Sequence, residues 1–198
     1  MQPIEGDTGS LGHYWFLTFE HSPELHALTK SCQQMIDTAY FDLPPVDGLH
    51  LTLDRIARDG ACTPEQLALI ATAARRTCQN LAPFTLTMER VTNLRGAIGF
   101  VASPEECVHA LRDALRTATL SIFPNAPVKD SASAPHVTIA YPMFAGLATK
   151  AAATADRIDW AVEGVVLSVA EAVMVALERQ EHSYAWDVVA RVLLDDER

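Results

Sequence analysis

The sequence predicts an α+β protein built as a bilobal, pseudo-twofold duplication, with two antiparallel sheets and flanking helices around a central cleft. Helix and strand signals alternate along the chain and include hairpins, which is typical of antiparallel sheets covered by helices. A short pattern, His-x-Thr-x, begins at His50 and again at His136, in comparable places in the two halves. The repetition indicates an internal duplication.

The length of 198 residues allows one large domain or two closely packed lobes, and residues 1–198 are predicted to form a single bilobal domain. The net charge of −10 disfavours binding to duplex DNA, which relies on many Lys and Arg side chains beside phosphates. No apolar run reaches the length of a membrane span, and residues 1–10 do not resemble a signal peptide. We therefore expect a cytoplasmic monomer that contacts neither duplex DNA nor a membrane.

The cysteines are spread along the chain without any Cys-x-x-Cys pair, at Cys32, Cys62, Cys78 and Cys107. This spacing does not fit a zinc site, and without a secretory signal it predicts free, buried thiols. No metal or other cofactor is expected.

The first elements follow from an aromatic run and two helix-start signals. Residues 13–19 are rich in aromatic side chains and predict a strand. Ser22-Pro23-Glu24 supplies a cap, a proline and an acidic first turn for a helix to about residue 40, before Pro44. Residues 49–57 predict the second strand, and Thr63-Pro64-Glu65-Gln66 matches a capping box that opens a helix to about residue 80.

The later elements repeat these signals. Residues 84–91 and 97–102 predict a hairpin around a polar turn, and Ser103-Pro104-Glu105 opens a helix to about residue 122. A strand at 135–142 and an alanine-rich helix at 144–156 follow. Residues 165–177 and 184–194 are rich in β-branched side chains and predict a closing hairpin of two long strands.

The two histidine patterns, near 48–54 and near 135–142, have the alternation of half-buried strands. Because side chains alternate between the faces of a strand, His50 and Thr52 share one face, and so do His136 and Thr138. Two imidazoles on one phosphate can act as general acid and general base, while the threonine hydroxyls hold its non-bridging oxygens. The alternative is that both histidines are hydrogen-bonded parts of the core.

At these residues the chain resembles the two-histidine phosphoesterase superfamily, which includes RNA 2′,3′-cyclic phosphodiesterases and proteins called 2′-5′ RNA ligases. The resemblance rests on His50-Leu51-Thr52-Leu53 and His136-Val137-Thr138-Ile139, and on the order of elements over most of the chain. It implies a bilobal fold around an open cleft, with His50 and His136 catalytic and Thr52 and Thr138 binding phosphate. It also implies phosphodiester chemistry without a metal.

Other substrate contacts are sought among basic and aromatic side chains near the motifs. The basic candidates are Arg55, Arg58, Arg90, Arg95 and Lys129, of which Arg55 and Arg95 are retained. Tyr141 follows the second motif and Tyr184 starts the last strand, so either can stack on a base. Trp160 and Trp186 are assigned to packing.

The predicted function is metal-independent hydrolysis of a 2′,3′-cyclic phosphate on a small nucleotide or an RNA 3′ end. The sequence does not assign acid and base between His50 and His136. Two alternatives remain. The first is 2′-5′ RNA ligation or 2′-5′ phosphodiester cleavage, both of which use the same pair of histidines. The second is a nucleotide-binding module without turnover.

Overall fold

The computed structural model describes residues 8–128, 134–181 and 183–194. In chain order, the elements are β1 (Gly9–Thr18), α1 (Pro23–Gln33), β2 (Phe41–Asp42), a 3-10 turn (Val46–Gly48), β3 (His50–Ala57), α2 (Pro64–Cys78), β4 (Phe84–Leu94), β5 (Ala97–Ser103), α3 (Glu105–Ile122), β6 (His136–Pro142), α4 (Ala148–Asp159), β7 (Val165–Val169), β8 (Glu171–Arg179) and β9 (Tyr184–Leu193).

The strands form two antiparallel sheets, which confirms the predicted fold class. The first sheet has the order β3-β1-β8-β9, and the second has the order β2-β6-β5-β4-β7. Each sheet contains one histidine motif, on β3 in the first and on β6 in the second. The four-stranded sheet therefore combines strands from both ends of the described chain.

The segment at residues 165–177 changes sheet at Ala170, so the prediction of one long strand was wrong. β7 pairs with β4 in the second sheet, whereas β8 pairs with β1 and β9 in the first. The valine-rich composition suits both strands, and hydrophobic periodicity does not reveal which partner a strand has. The predicted closing hairpin is formed by β8 and β9.

Helix α1 ends at Gln33 instead of near residue 40, and the short strand β2 was not predicted. The side-chain amide of Gln33 donates to the carbonyl oxygens of Pro44 and Ile139 at 3.0 and 3.1 Å. Phe41 is buried and pairs with Pro142 at the end of β6. These tertiary contacts hold the chain in turns and a strand, and they outweigh its local helix preference.

Two pairs of helices cover the sheets. Helices α2 and α3 pack on each other and against β9 and β3, whereas α1 and α4 pack against strands of the second sheet. The capping box predicted for α2 is present, with Thr63 and Gln66 exchanging hydrogen bonds. One continuous core joins apolar residues of both sheets. The indole NH of the buried Trp15 donates to the hydroxyl of the buried Thr119 at 3.0 Å.

The cysteines are free, as predicted, but the prediction that all of them are buried was wrong. Cys32 and Cys78 are buried, and burial raises the pKa of each thiol to about 11, whereas Cys62 and Cys107 are partly exposed. Among the described residues, no helix is long and apolar enough to cross a membrane.

Candidate active site

Both histidine motifs face one cleft between the two sheets. The cleft has a volume of about 270 Å³. His50 and Thr52 line it from β3, and His136 and Thr138 line it from β6, so the spacing of two places each pair on one strand face, as the sequence predicts. The complete lining is Leu11, Tyr14, Phe16, His50, Thr52, His136, Thr138, Tyr141, Leu177 and Tyr184.

The two imidazoles are anchored in the same way. Nδ1 of His50 lies 3.0 Å from the carbonyl oxygen of Gly48, and Nδ1 of His136 lies 2.8 Å from the carbonyl oxygen of Ala134. Because a carbonyl oxygen only accepts hydrogen bonds, Nδ1 carries the hydrogen in each ring. The anchor fixes the tautomer, and Nε2 is the nitrogen that can exchange a proton with a ligand.

Aromatic rings enclose His50. The Phe16 ring stacks on the imidazole with centroids 4.3 Å apart, and the Trp186 indole meets it edge-on at 5.0 Å. Burial lowers the pKa of His50, the hydrogen bond from its Nδ1 to Gly48 opposes this, and the charge of His136 lowers the pKa further. His50 is therefore held towards its neutral form.

A tyrosine accompanies the second motif. The Thr138 side chain opposes the rise in the pKa of Tyr141, and the Tyr141 ring meets Tyr184 edge-on at 5.3 Å. Since Tyr141 lies on β6 and Tyr184 on β9, this contact joins the two sheets beside the cleft. Burial raises the pKa of Tyr141, so its phenol stays neutral and can donate a hydrogen bond.

Two bulges in β3 set the position of Arg55. Phe16 of β1 pairs with Thr52 of β3, and the next residue of β1, Trp15, pairs with Asp54. Leu53 is therefore an extra residue in β3. A second irregularity in the strand register follows. The bulge reverses the alternation and puts Arg55 on the same face as Tyr14. Its guanidinium lies 5.1 Å from the Tyr14 ring centroid and donates to the carbonyl oxygen of Leu11 at 2.8 Å.

Of the predicted substrate contacts, Tyr141 and Tyr184 line the cleft, and Arg55 lies beside it against Tyr14. Arg95 is exposed at the β4–β5 turn with a φ of 58°, and it is not part of the cleft lining. Arg58 and Arg90 are also exposed. Lys129 lies outside the described residues.

Sequence reasoning missed the part of the site that comes from outside the motifs. Phe16 and Trp186 contact His50, and Leu177 lines the cleft from β8. The sequence did contain one signal for Trp186. It lies two residues after Tyr184 on the last strand, and alternate residues of a strand lie on the same face. In the part of the chain that the structure describes, no three His, Cys, Asp or Glu side chains are arranged to hold a metal ion.

The structure has two antiparallel sheets, and each sheet contributes one His-x-Thr strand to a common cleft. This arrangement defines a protein of the two-histidine phosphoesterase class. The chain belongs to the 2′-5′ RNA ligase superfamily, whose family model matches residues 39–173. No curated protein sequence matches the chain.

Solved structures share the fold at low sequence identity. The TT0787 protein of Thermus thermophilus is 17% identical, with a TM-score of 0.71, over 94% of this chain and 100% of that one. E. coli LigT in its apo form is 16% identical, with a TM-score of 0.65, over 95% and 99%. LigT complexed with 3′-AMP is 15% identical, with a TM-score of 0.64, over 93% and 98%.

Proposed function

We propose that the protein is a phosphodiesterase that opens the 2′,3′-cyclic phosphate of a nucleotide or an RNA 3′ end, with His50 and His136 as its general acid and base. The observation that carries this proposal is the pair of imidazoles in one cleft, each anchored through Nδ1 to a carbonyl oxygen two residues earlier. Matched tautomers give two equivalent Nε2 atoms for one phosphate, which is the arrangement that acid–base catalysis of phosphoryl transfer needs.

Thr52 and Thr138 are proposed to hold the phosphate. Each lies two residues after its histidine and lines the same cleft. A hydroxyl can donate to a non-bridging oxygen and stabilise the charge that gathers there as the attacking oxygen bonds to phosphorus. The reaction scheme routes no step through a metal ion.

A small nucleotide fits the size and lining of the cleft. The volume of about 270 Å³ accommodates a compact ligand, and Tyr14 and Tyr184 offer aromatic surfaces for a base. LigT forms complexes with 3′-AMP, ATP and NADP+, so nucleotide binding occurs in a structural relative of this chain. We propose a nucleotide or an RNA 3′ end as the ligand, bound by a monomer whose two sheets act as one bilobal unit.

The name of the superfamily supports a second candidate function, 2′-5′ RNA ligation or its reverse. That reaction uses the same acid and base but requires a second RNA end as acceptor. The net charge of −10 disfavours a long RNA partner, so we rank it below hydrolysis.

A substrate panel tests the proposal. Nucleoside 2′,3′-cyclic phosphates and 2′-5′-linked dinucleotides are incubated with the protein in excess chelator, and the product isomers are resolved by chromatography. We expect one monoester isomer from the cyclic substrates. Cleavage of the 2′-5′ dinucleotides alone would favour the second candidate, and nucleotide binding by calorimetry without any turnover would identify a binding module and contradict the proposal.

The threonine hydroxyls are expected to contribute to rate. Thr52→Val and Thr138→Val keep the side-chain shape but remove a donor to the phosphate, and each should lower kcat/KM by roughly 10²-fold. Thr52→Ser and Thr138→Ser keep the hydroxyl and should stay within about tenfold of the wild type. Equal activity of the valine and serine variants in steady-state assays would remove the threonines from the site.

A further inference from the structure

Arg55 places a positive charge at one end of the cleft. Its guanidinium carbon lies 5.1 Å from the centroid of the Tyr14 ring, and its Nη2 donates to the carbonyl oxygen of Leu11 at 2.8 Å. Tyr14 and Leu11 both line the cleft. Arg55 is half-buried, so its charge lies beside the cleft instead of extending into solvent.

Most hydrogen-bond donors of Arg55 are unused. A guanidinium has five N–H donors, and the bond to Leu11 uses one of them. In the described part of the chain, Nε is buried without a partner, and Nη1 has no partner although it is not fully buried. An arginine that served packing alone would be expected to satisfy its buried N–H, because a missing partner costs free energy. Arg55 therefore has donors left for a ligand.

The charge of Arg55 is not neutralised by a carboxylate. Among the described residues, its side chain forms no ion pair, and none of those that line the cleft is Asp or Glu. The adjacent Asp54 is paired with Arg116 and accepts only the backbone NH of Arg55. Burial raises the pKa of Tyr14, and the charges of Arg55 and Arg58 both oppose that rise, so two cations act at this end of the cleft.

We propose that Arg55 is a specificity-determining residue that binds a second phosphate, the one on the 5′ oxygen of the nucleoside that carries the cyclic phosphate. The proposal rests on the phosphodiesterase function proposed above and narrows its substrate class. A phosphate at this place occurs in a 5′-phosphorylated nucleotide and at the 3′ end of an RNA. A nucleoside cyclic phosphate with a free 5′ hydroxyl lacks the recognised group.

Strand pairing places Arg55 one step further along the cleft than Thr52. Thr52 pairs with Phe16 and Arg55 pairs with Tyr14, and these two partners are two residues apart on β1. Two residues of a strand span about 7 Å, which is comparable to the separation of the phosphates on either side of one ribose. A cyclic phosphate held at Thr52 therefore leaves the 5′ phosphate within reach of Arg55.

Two aromatic rings separate Arg55 from the nearer imidazole. Phe16 stacks on His50 with centroids 4.3 Å apart, and the Tyr14 ring lies 6.0 Å from the Phe16 ring on the other side. The guanidinium of Arg55 contacts Tyr14 at the end of this row. Arg55 is therefore placed to select a substrate and not to exchange a proton at the reacting phosphate.

The second half of the molecule has no cation in the corresponding place. Arg55 follows His50 by five residues, and Tyr141 follows His136 by five. Burial raises the pKa of Tyr141, so its phenol stays neutral. The two motifs are alike in their histidines and threonines but differ in charge at this position. The difference favours a substrate whose second phosphate points towards β1 and β3.

A comparison of substrates tests the proposal on the wild-type protein. Steady-state rates are measured for a nucleoside 2′,3′-cyclic phosphate with a 5′ hydroxyl, for the same nucleoside with a 5′ phosphate, and for a dinucleotide that ends in it. We expect kcat/KM to be about tenfold higher or more for the two substrates that carry the extra phosphate. A faster dinucleotide identifies an RNA end as the source of this phosphate, and a faster mononucleotide identifies a free nucleotide. A dinucleotide with an uncharged methylphosphonate link controls for the added bulk.

Variants of Arg55 assign the preference to its guanidinium. Arg55→Gln removes the charge, and the ratio of kcat/KM between phosphate-bearing and hydroxyl substrates should fall to about one. Arg55→Lys keeps the charge without the planar fork and should retain part of the ratio. Arg95→Gln is the matched control, because it removes the same charge from an exposed turn outside the cleft lining and should keep the wild-type ratio. Since both rates come from one protein sample, loss of folded protein does not alter the ratio.

Ionic strength supplies a test that needs no variant. Salt screens the attraction between a half-buried arginine and a phosphate, so the wild-type ratio should fall severalfold between low salt and roughly 1 M salt. The methylphosphonate dinucleotide lacks the charge and should show no such fall relative to the hydroxyl substrate.

The outcomes separate this inference from the proposed function. A wild-type protein that opens none of the cyclic phosphates contradicts the function itself. A wild-type protein that opens all of them with equal kcat/KM overturns the role of Arg55 and leaves the function intact. The same conclusion follows if the preference persists in Arg55→Gln or at high salt, or if the methylphosphonate dinucleotide is as good a substrate as the charged one.

Discussion

Replacing either His50 or His136 with alanine is expected to lower kcat/KM for a nucleoside 2′,3′-cyclic phosphate by about 10²–10⁴-fold. Each variant removes one of the two imidazoles that line the cleft and leaves a proton transfer to bulk water. Because the two groups act in one step, the double variant should be only slightly slower than the worse single variant. Steady-state rates with purified cyclic nucleotides measure the effect.

A histidine outside the cleft provides the control. His21 is exposed in the turn before α1, and His21→Ala should match the wild type in rate and thermal midpoint. Loss of activity in folded His50→Ala and His136→Ala proteins, with His21→Ala unaffected, supports the acid–base pair. Full turnover in both cleft variants would contradict it.

The buried ion pair behind the first motif should give the largest change in stability. The carboxylate of Asp54 accepts a hydrogen bond from Nε of Arg116 at 2.7 Å, and the Asp54 side chain is 5% exposed. It also accepts the backbone NH of Arg55 at 2.9 Å. Asp54→Ala removes the buried partner of a charged group, and we expect a loss of about 3 kcal/mol in the free energy of unfolding.

Helix α3 offers a matched exposed pair for comparison. Arg112 and Asp113 form an ion pair at 3.2 Å in which the Asp113 side chain is 64% exposed. Asp113→Ala should cost less than about 1 kcal/mol, because solvent screens an exposed pair. Urea unfolding of the three proteins measures both effects. If both variants lost a similar free energy of unfolding, burial would not determine how much the Asp54 ion pair contributes to stability.

The sequence predicts the motif faces well because strand alternation is local. A spacing of two residues places His50 beside Thr52 and His136 beside Thr138 without knowledge of any partner strand. The helix starts are equally local, and the Thr63 capping box forms as its residues predict. These features depend on backbone geometry over a few residues, which the sequence specifies directly.

Features that depend on distant partners were not predicted. The bulge at Leu53 arises from pairing with β1 and reverses the face of Arg55, which strict alternation would place away from the cleft. The change of sheet at Ala170 and the early end of α1 depend on pairing with β1, β4 and β6. Trp186 on β9 contacts His50 on β3 across the two intervening strands β1 and β8, and the only local signal for this contact is the alternation on β9.

Hydrolysis in ¹⁸O-labelled water tests the central claim most directly. The wild-type protein is incubated with a nucleoside 2′,3′-cyclic phosphate in excess chelator, and the product is followed by ³¹P NMR and mass spectrometry. The two-histidine scheme predicts one monoester isomer carrying a single ¹⁸O atom, at a rate that the chelator leaves unchanged and that falls in His50→Ala and in His136→Ala. No opening of the cyclic phosphate by the wild type, or opening that stops on chelation, would contradict it.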